Sequence, residues 1–305
     1  MINKAEISVI ICTYNRRDFI LKALESLLHQ TLSKEQFEVI VVNNNSPDDT
    51  EALVMNYIEK HPDIHILYKM ENQQGASFAR NTGAAMASAG LLAFMDDDAV
   101  AEPDFLEKIL TFFHKYPSAA GLGGRIIPRY IPAEPKWMSY FVSSLVGNFD
   151  YSNSTTEFKP GKYPLESNMV VTKQDFFAVG GFNTALPGVK GNLRIGGEGK
   201  DFFLKLQGLG RTIYYDPNVI VHHVVEVEKL DSEYMYRVAS GIGRGERVRM
   251  LSQSKWSFIK KVAEYLFKLG ASFVLGLFYA VQGTPSKTWP VIKFRIDALK
   301  GLLGS

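Results

Sequence analysis

Apolar segments of strand length alternate with segments of helical periodicity through the first third of the chain. Residues 7–12 and 37–42 are apolar runs that suit buried strands, and the apolar positions of residues 19–28 recur between them at helical spacing. Residues 64–68 and 91–95 repeat the strand pattern. Strands that alternate with helices are typical of βαβ units. The sequence therefore predicts an α/β fold with a mostly parallel sheet flanked by helices.

The last quarter of the chain has a different pattern. From Asp231 the sequence is helical almost to its end, so we predict an α/β domain over residues 1–225 and a helical C-terminal extension over residues 226–305. Between residues 128 and 164 the periodicity fails while proline and aromatic residues accumulate, which predicts a functional loop or a small helical insert.

The composition limits the partners and the compartment. With 34 basic and 32 acidic residues the net charge is +2, so no nucleic acid partner is expected. Cys12 is the one cysteine and has no disulfide partner, as is usual in a reducing compartment. Residues 1–6 carry an acid and lack the basic flank and apolar core of a signal peptide. We therefore expect a cytoplasmic location.

Three acids, Asp96, Asp97 and Asp98, follow the fourth predicted strand directly. Ligands of open parallel sheets bind beyond the carboxyl ends of the strands. Alternate side chains of an extended backbone point the same way, so Asp96 and Asp98 can face one ligand. Such a pair suits Mg²⁺ or Mn²⁺ held together with substrate phosphates. A solvated acidic turn is the competing interpretation.

Polar residues also follow the first two predicted strands and precede the acids. They are Thr13, Tyr14, Asn15 and Arg16, then Asn43, Asn44, Asn45 and Ser46, then Asn72, Gly75, Arg80, Asn81 and Gly83. Singly, many of them are ordinary turn residues. In this order, and with the acids, they resemble the inverting family 2 glycosyltransferases of the GT-A fold. The resemblance runs from about residue 7 to about residue 245, and it implies a GT-A type, Rossmann-like sheet.

The resemblance also implies a role for each matching residue. The residues implied to bind the nucleotide sugar are Thr13, Tyr14, Arg16, Asn43, Asn45, Arg80, Asp96 and Asp97. Among them, Asn43 would contact the base and Arg80 the ribose or diphosphate. Asp98 would bind the metal, Mn²⁺ or Mg²⁺. The family more often has an aspartate where Asn43 stands. Because an amide can still hydrogen-bond a nucleobase edge, the donor stays open between UDP, dTDP and GDP.

A second motif, Gly-Gly-Glu-Gly-Lys-Asp, opens a predicted helix at residue 196. Its two acids, Glu198 and Asp201, lie three residues apart and therefore on the same side of the first turn. An inverting sugar transfer needs a carboxylate that removes the proton of the acceptor hydroxyl. The family motif usually reads Glu-Asp, whereas Gly199 stands second here. We predict Glu198 as the base and Asp201 as the alternative, against the simpler reading that both acids complement the helix dipole.

Further candidates flank these motifs. His222 and His223 end a strand-like run, and because neighbours on a strand face opposite ways, at most one of them serves a site. The resemblance places His223 near the metal or diphosphate and Asn168 on the acceptor side. Trp137 suits stacking on an acceptor sugar, but it is equally suited to a core or an interface.

Residues 256–282 have an amphipathic pattern that suits an interfacial helix. Its apolar stripe comprises Phe258, Val262, Tyr265, Leu266, Leu269 and Phe273, with Lys260, Lys261, Glu264 and Lys268 opposite. The 14 charge-free residues from 269 to 282 reach about 21 Å as a helix, against about 30 Å for a bilayer core. We therefore expect peripheral contact with the inner face of a membrane, near a lipid-linked acceptor, or packing of the stripe on protein.

The motifs favour one function over two others. An inverting glycosyltransferase would move a sugar to a saccharide or lipid-linked acceptor, as in the synthesis of cell-surface polysaccharides or glycans. The departures at Asn43 and Gly199 leave a non-catalytic nucleotide-sugar-binding protein as the alternative. A dehydrogenase or P-loop nucleotidase is excluded because the first strand is not followed by a glycine-rich turn. The alternating glycines 241, 243 and 245 lie in a helical stretch with no strand before them.

Overall fold

The structure, a computed structural model, describes residues 5–190 and 193–304. Its chain forms two compact units, which we call the sheet unit and the helical unit. The sheet unit comprises residues up to 127, 149–184 and 199–223, and the helical unit comprises residues 128–148, 185–198 and 224 onward. The two-domain division at residue 225 stays a prediction, since the helical unit also takes up two earlier segments.

The strands and helices of the described residues follow one another in a βα pattern through the first half of the chain. The strands are β1 Ile7–Thr13, β2 Phe37–Asn43, β3 Ile66–Met70, β4 Leu91–Asp96, β5 Ala99–Ala101, β6 Gly121–Tyr130, β7 Thr156–Glu157, β8 Asn168–Thr172, β9 Gly188–Lys190, β10 Leu193–Ile195 and β11 Ile213–Val225. The helices are α1 Arg17–Leu28, α2 Thr50–Lys60, α3 Ala76–Met86, α4 Phe105–Lys115, α5 Tyr140–Ser143, α6 Lys173–Ala178, α7 Glu198–Gly208, α8 Ser232–Gln253, α9 Lys255–Val281 and α10 Thr288–Leu303.

The main sheet is mixed, and its parallel part comes from the first half of the chain. Its order is β3-β2-β1-β4-β8-β6-β11-β5, with β7 paired to β11. Strand β1 runs parallel to β2 and β4, and β2 runs parallel to β3. Strand β8 is antiparallel to both β4 and β6. The predicted sheet flanked by helices is confirmed, and the carboxyl ends of β1, β2 and β4 meet at one edge.

Successive apolar residues of a strand point to opposite faces of this sheet, and a core lies on each face. In β1, Val9 and Ile11 pack into one cluster with Leu24 of α1, whereas Ile10 packs into the other with Ala84 of α3. This alternation follows from the two-residue repeat of a strand. Burying such aliphatic side chains contributes about 1.5–3 kcal/mol each, so the edge that carries the polar residues rests on a rigid frame.

In the helical unit, glycines let the backbones of α8 and α10 approach closely. A Cβ at Gly243 would lie 2.0 Å from the carbonyl oxygen of Ala298, and a Cβ at Gly301 would lie 1.9 Å from that of Ser240. Gly245 faces the turn after β10 instead, where a Cβ would lie 1.7 Å from the carbonyl oxygen of Gly196. The alternating glycines of α8 are therefore packing residues.

Helix α9 half-buries most of the predicted stripe and exposes an apolar face beside it. Four residues of the predicted stripe, Phe258, Val262, Tyr265 and Leu269, are half-buried in the helical unit. The face that is exposed comprises Ile259, Leu266, Phe267, Phe273, Val274, Leu277, Phe278 and Val281. The predicted stripe thus packs mainly on protein, which is one of the two expected alternatives, and α9 is apolar on its exposed side as well. Among the described residues, α9 is the one helix long and apolar enough to cross a membrane.

Candidate active site

The acids stand where the sequence predicts, at the carboxyl end of β4. Asp96 is the last residue of this strand, and Asp97 and Asp98 form the turn into β5. Asp96, Asp98 and His223 bring one ligand atom each within 4.8 Å of one another. Two carboxylates and an imidazole are suitable donors for Mn²⁺ or Mg²⁺. This group of three is the candidate metal site.

The two histidines of β11 face opposite ways, as the strand period predicts. His223 Nε2 lies 3.0 Å from Asp98 Oδ1, whereas His222 Nε2 lies 2.6 Å from Glu102 Oε1. His223 is buried, and its Nδ1 has no hydrogen-bond partner among the residues that the structure describes. Its Nε2, which faces Asp98, is the atom that would reach a cation held by the acids.

Two arginines cover the acids. Arg16 contacts Asp98 directly and lies 3.7 Å from Asp97, and Arg80 Nη2 lies 3.4 Å from Asp96 Oδ1. Burial raises the pKa of Asp97 to about 7; Arg16 opposes the shift, and the neighbouring Asp98 adds to it. The cluster therefore joins concentrated negative charge to two guanidinium groups, which are suited to binding a diphosphate bidentately.

The polar residues after β1 and β2 adjoin one another. Thr13 and Asn43 end paired strands in register, and both are buried. The Asn43 amide donates to the Tyr68 hydroxyl at 3.0 Å, and its oxygen accepts from Ser46 N at 2.9 Å. An aspartate here could only accept from that hydroxyl, whereas the asparagine amide donates to it. Asn45 is exposed, with a left-handed φ of 62°.

Comparison with known proteins agrees with this geometry. The family model described as "Glycosyl transferase family 2" matches residues 8–175. The chain belongs to glycosyl transferase family 2. The sequence-based recognition of this family is thereby confirmed.

Among sequence relatives, the chain is 25% identical over 221 residues to the glucosyl-dolichyl phosphate glucuronosyltransferase of Haloferax volcanii, covering 72% of this chain and 69% of that protein. It is 37% identical over 112 residues to the minor teichoic acid biosynthesis protein GgaB of Bacillus subtilis, covering 36% of this chain but 12% of that protein. The chain thus spans a small part of this second relative.

A solved structure resembles the whole chain. The mannosyltransferase PcManGT from Pyrobaculum calidifontis, in complex with GDP-Man and Mn²⁺, superposes with a TM-score of 0.68 at 18% identity and covers 98% of this chain and 87% of that one. At this identity the likeness concerns the fold, and it confirms the GT-A fold.

Three further predicted site residues of this family 2 glycosyltransferase, Tyr14, Asn168 and Trp137, lie in different surroundings. Tyr14 is half-buried directly after β1. Asn168 is fully buried, and its amide donates to the carbonyl oxygens of Arg125 and Val219 at 3.0 and 2.9 Å. It thus holds strands of the sheet together, and its acceptor contact stays a prediction. Trp137 is half-buried against an apolar cluster of the helical unit.

The two candidate bases begin helix α7. Glu198 is its first residue and is 7% exposed. Asp201, one turn later, forms an ion pair with Lys205 at 2.8 Å. Both candidates thus lie in the first turn of α7, and Glu198 as the base stays a prediction.

Sequence reasoning missed one residue of the acid cluster. Ser167 is buried, and its hydroxyl donates to Asp96 Oδ2. It comes from the irregular segment just before β8, where periodicity carries no information. The antiparallel pairing of β8 with β4 places Ser167 beside the acid.

Proposed function

We propose that this chain is an inverting glycosyltransferase that moves a sugar from a nucleotide diphosphate onto a saccharide or lipid-linked acceptor, in the synthesis of cell-surface polysaccharide or glycan. The observation that carries this proposal is the cluster of Asp96, Asp98 and His223 beside Arg16 and Arg80, at the carboxyl edge of the sheet. Family membership and the fold are consistent with it.

Within this cluster, Asp96, Asp98 and His223 would hold Mn²⁺ or Mg²⁺. A divalent cation bound there would neutralise charge on the leaving diphosphate. Arg16 and Arg80 would bind the diphosphate oxygens, and Thr13, Tyr14, Asn43 and Asn45 would line the nucleoside. The structural neighbour binds GDP-Man and Mn²⁺, which supports this class of donor.

Glu198 would supply the base. The acceptor hydroxyl oxygen forms a bond to the anomeric carbon, the bond from that carbon to the diphosphate oxygen breaks, and the nucleoside diphosphate leaves with the electron pair. The proton of the acceptor hydroxyl passes to the Glu198 carboxylate. Attack on the face opposite the leaving group inverts the anomeric configuration.

A turnover assay tests this proposal. Purified chain is incubated with UDP-, GDP- and dTDP-sugars, Mn²⁺ and candidate acceptors, and release of nucleoside diphosphate is followed. We expect turnover with one donor, and a loss of about 100-fold or more in the Glu198→Gln variant at nearly unchanged donor affinity. Donor binding without turnover in the unaltered chain, across the panel, would instead identify a non-catalytic nucleotide-sugar-binding protein.

We also propose that the exposed face of α9 contacts the cytoplasmic surface of a membrane. This face is apolar along the helix, and the exposed charges of α9 are Lys255, Lys260 and Lys268. Glu264, the one acid in α9, is ion-paired to Lys261 at 2.6 Å and to Lys268. An apolar face with lysines suits anionic lipid. The dolichyl phosphate named for one relative agrees with a lipid-linked acceptor.

Vesicle sedimentation tests the membrane contact. Phe267 and Leu277 are 77% and 71% exposed, so the double variant Phe267→Glu/Leu277→Glu changes this face without touching the packed one. We expect the unaltered chain to sediment with phosphatidylglycerol vesicles and the double variant to stay in solution. Equal sedimentation of both proteins would refute the contact.

A further inference from the structure

Helix α7 begins without a capping side chain of its own. The residue before Glu198 is Gly197, which has a φ of +94° and carries no side chain. The first backbone N–H groups of a helix have no partner within the helix and are usually capped by a side chain at this position. The turn that carries both candidate bases therefore needs a cap from elsewhere in the chain.

Glu166 supplies this cap. The backbone N–H of Gly199, in the first turn of α7, donates to Glu166 Oε1 at 2.8 Å. A carboxylate at a helix N-terminus also complements the helix dipole. The contact joins the irregular segment before β8 to the start of α7, and it lies within the sheet unit.

Gly199 is shaped to admit this carboxylate. A Cβ at position 199 would lie 2.4 Å from Glu166 Oε1 and 2.7 Å from its Cδ, both shorter than real contacts allow. The carboxyl group of Glu166 thus fills the space that a side chain at position 199 would need. A side chain at position 199 would therefore displace the Glu166 carboxylate.

The next residue along the chain connects the cap to the acids. Ser167 donates to Asp96, so Glu166 and Ser167 contact the first turn of α7 and the end of β4 from adjacent positions. A shift of Glu166 would therefore disturb the start of α7 while the acid cluster keeps its other contacts.

We propose that Glu166 is a positioning residue, whose carboxylate oxygen holds the first turn of α7 and thereby the candidate bases Glu198 and Asp201. The inference rests on the proposed function, because Glu166 acts through that base. In this role Glu166 accepts a hydrogen bond, and the proton of the acceptor hydroxyl passes to the candidate base instead.

Two substitutions at Glu166 separate positioning from proton chemistry. Glu166→Ala removes the acceptor oxygen, and we expect kcat to fall about 10- to 100-fold with the donor KM changed less than about 3-fold. Glu166→Gln keeps an acceptor oxygen and should retain kcat within about 5-fold. Unchanged kcat in Glu166→Ala, or an equal loss in both variants, would overturn the positioning role.

Glu38 provides the matched control. Its buried carboxylate also accepts a backbone N–H, that of Ser88 at 2.6 Å, at the opposite edge of the sheet from the acids. Glu38→Ala should lower the Tm and leave kcat unchanged when assayed well below that Tm. A kcat loss in Glu38→Ala equal to that in Glu166→Ala would show that general destabilisation explains both, and would overturn the inference.

Amide hydrogen exchange tests the hydrogen bond between Gly199 and Glu166 without an activity assay. In Glu166→Ala the amide of Gly199 should exchange faster, by about 10-fold or more, while amides of β1 and β2 are unchanged. Protection of Gly199 equal to that of the unaltered chain would overturn the cap. If the unaltered chain transfers no sugar, the proposed function fails, but the exchange result still decides whether the contact exists.

A double-substitution cycle tests the shared space. Gly199→Ala alone should displace the Glu166 carboxylate, because its Cβ takes the space that the carboxylate occupies. The lost hydrogen bond should then offset the gain in stability that alanine brings over glycine in a helix, whereas the same substitution in a Glu166→Ala background should keep that gain and raise the Tm. Gly208→Ala, at the other end of α7, where a Cβ meets nothing within 4 Å among the described residues, is the control. Equal Tm changes in both backgrounds would overturn the inference.

Discussion

The imidazole Nε2 of His223 lies 3.0 Å from Oδ1 of Asp98. His223 belongs to β11, near one end of the strand order, and Asp98 belongs to the turn after β4. Strand β11 pairs with β5 in a register that sets His223 opposite Ala99, the residue after Asp98. The pairing of these two strands thus brings the histidine to the acids.

Removal of this imidazole should weaken cation binding. We expect His223→Ala to lower the affinity for Mn²⁺ about 10-fold or more, because a cation would lose one of three protein ligands. Titration calorimetry with Mn²⁺ measures the change.

The neighbouring histidine is the control for this prediction. His222 lies on the other side of β11 and pairs with Glu102, so His222→Ala should leave Mn²⁺ affinity unchanged. Equal effects of the two substitutions would show that His223 is not a ligand.

Glu38 should make the sheet unit sensitive to acid. Burial opposes ionisation of this carboxyl, but hydrogen bonds from Ser8 and Ser88 outweigh burial and hold its pKa below the ordinary 4.5. Since the folded state favours the charged form, its stabilisation is present above pH 4.5 and is lost as the pH falls through the lower, folded pKa.

Urea unfolding across this pH range measures the contribution. At neutral pH, Glu38→Gln should lower the free energy of unfolding by about 1–3 kcal/mol, because buried hydrogen bonds lose their charged acceptor. The difference between the two proteins should shrink below pH 4.5. A difference that stays constant down to the acid transition would rule out this role of Glu38.

Gly245 should be intolerant of a side chain. Its Cβ would meet the backbone of Gly196, which cannot move aside as a flexible side chain can, so Gly245→Ala should destabilise the chain by about 1–3 kcal/mol. Gly270→Ala in α9, where a Cβ meets nothing within 4 Å among the described residues, should be neutral or stabilise by up to about 1 kcal/mol. Thermal unfolding compares them, and equal Tm values would contradict the packing described for α8.

Periodicity sufficed to predict the parallel part of the fold. Predicted strand 7–12 is β1 Ile7–Thr13, and predicted strand 91–95 is β4 Leu91–Asp96. Strand alternation also predicted correctly that His222 and His223 face opposite ways. These features follow from local repeats of two and 3.6 residues, which a sequence displays directly.

Contacts between distant segments could not be predicted in this way. Glu166 and Ser167 lie in an irregular stretch. The antiparallel pairing of β8 with β4 sets Ser167 beside Asp96, and the approach of α7 sets Gly199 beside Glu166. The buried side of α9 stayed open for a related reason: both of its faces are apolar, so its packing on the other helices of the helical unit decides which one is buried.

Mn²⁺-dependent binding of nucleoside diphosphates by the unaltered chain and by Asp98→Asn tests the central claim most directly. Asp98 contacts both His223 and Arg16, so its carboxylate joins the candidate cation site to the candidate diphosphate site. We predict that UDP, GDP or dTDP raises the Tm of the unaltered chain more with Mn²⁺ than without, and that Asp98→Asn abolishes this Mn²⁺ increment. An increment of the same size in Asp98→Asn, or no response of the unaltered chain to any of the three nucleotides, would contradict the account.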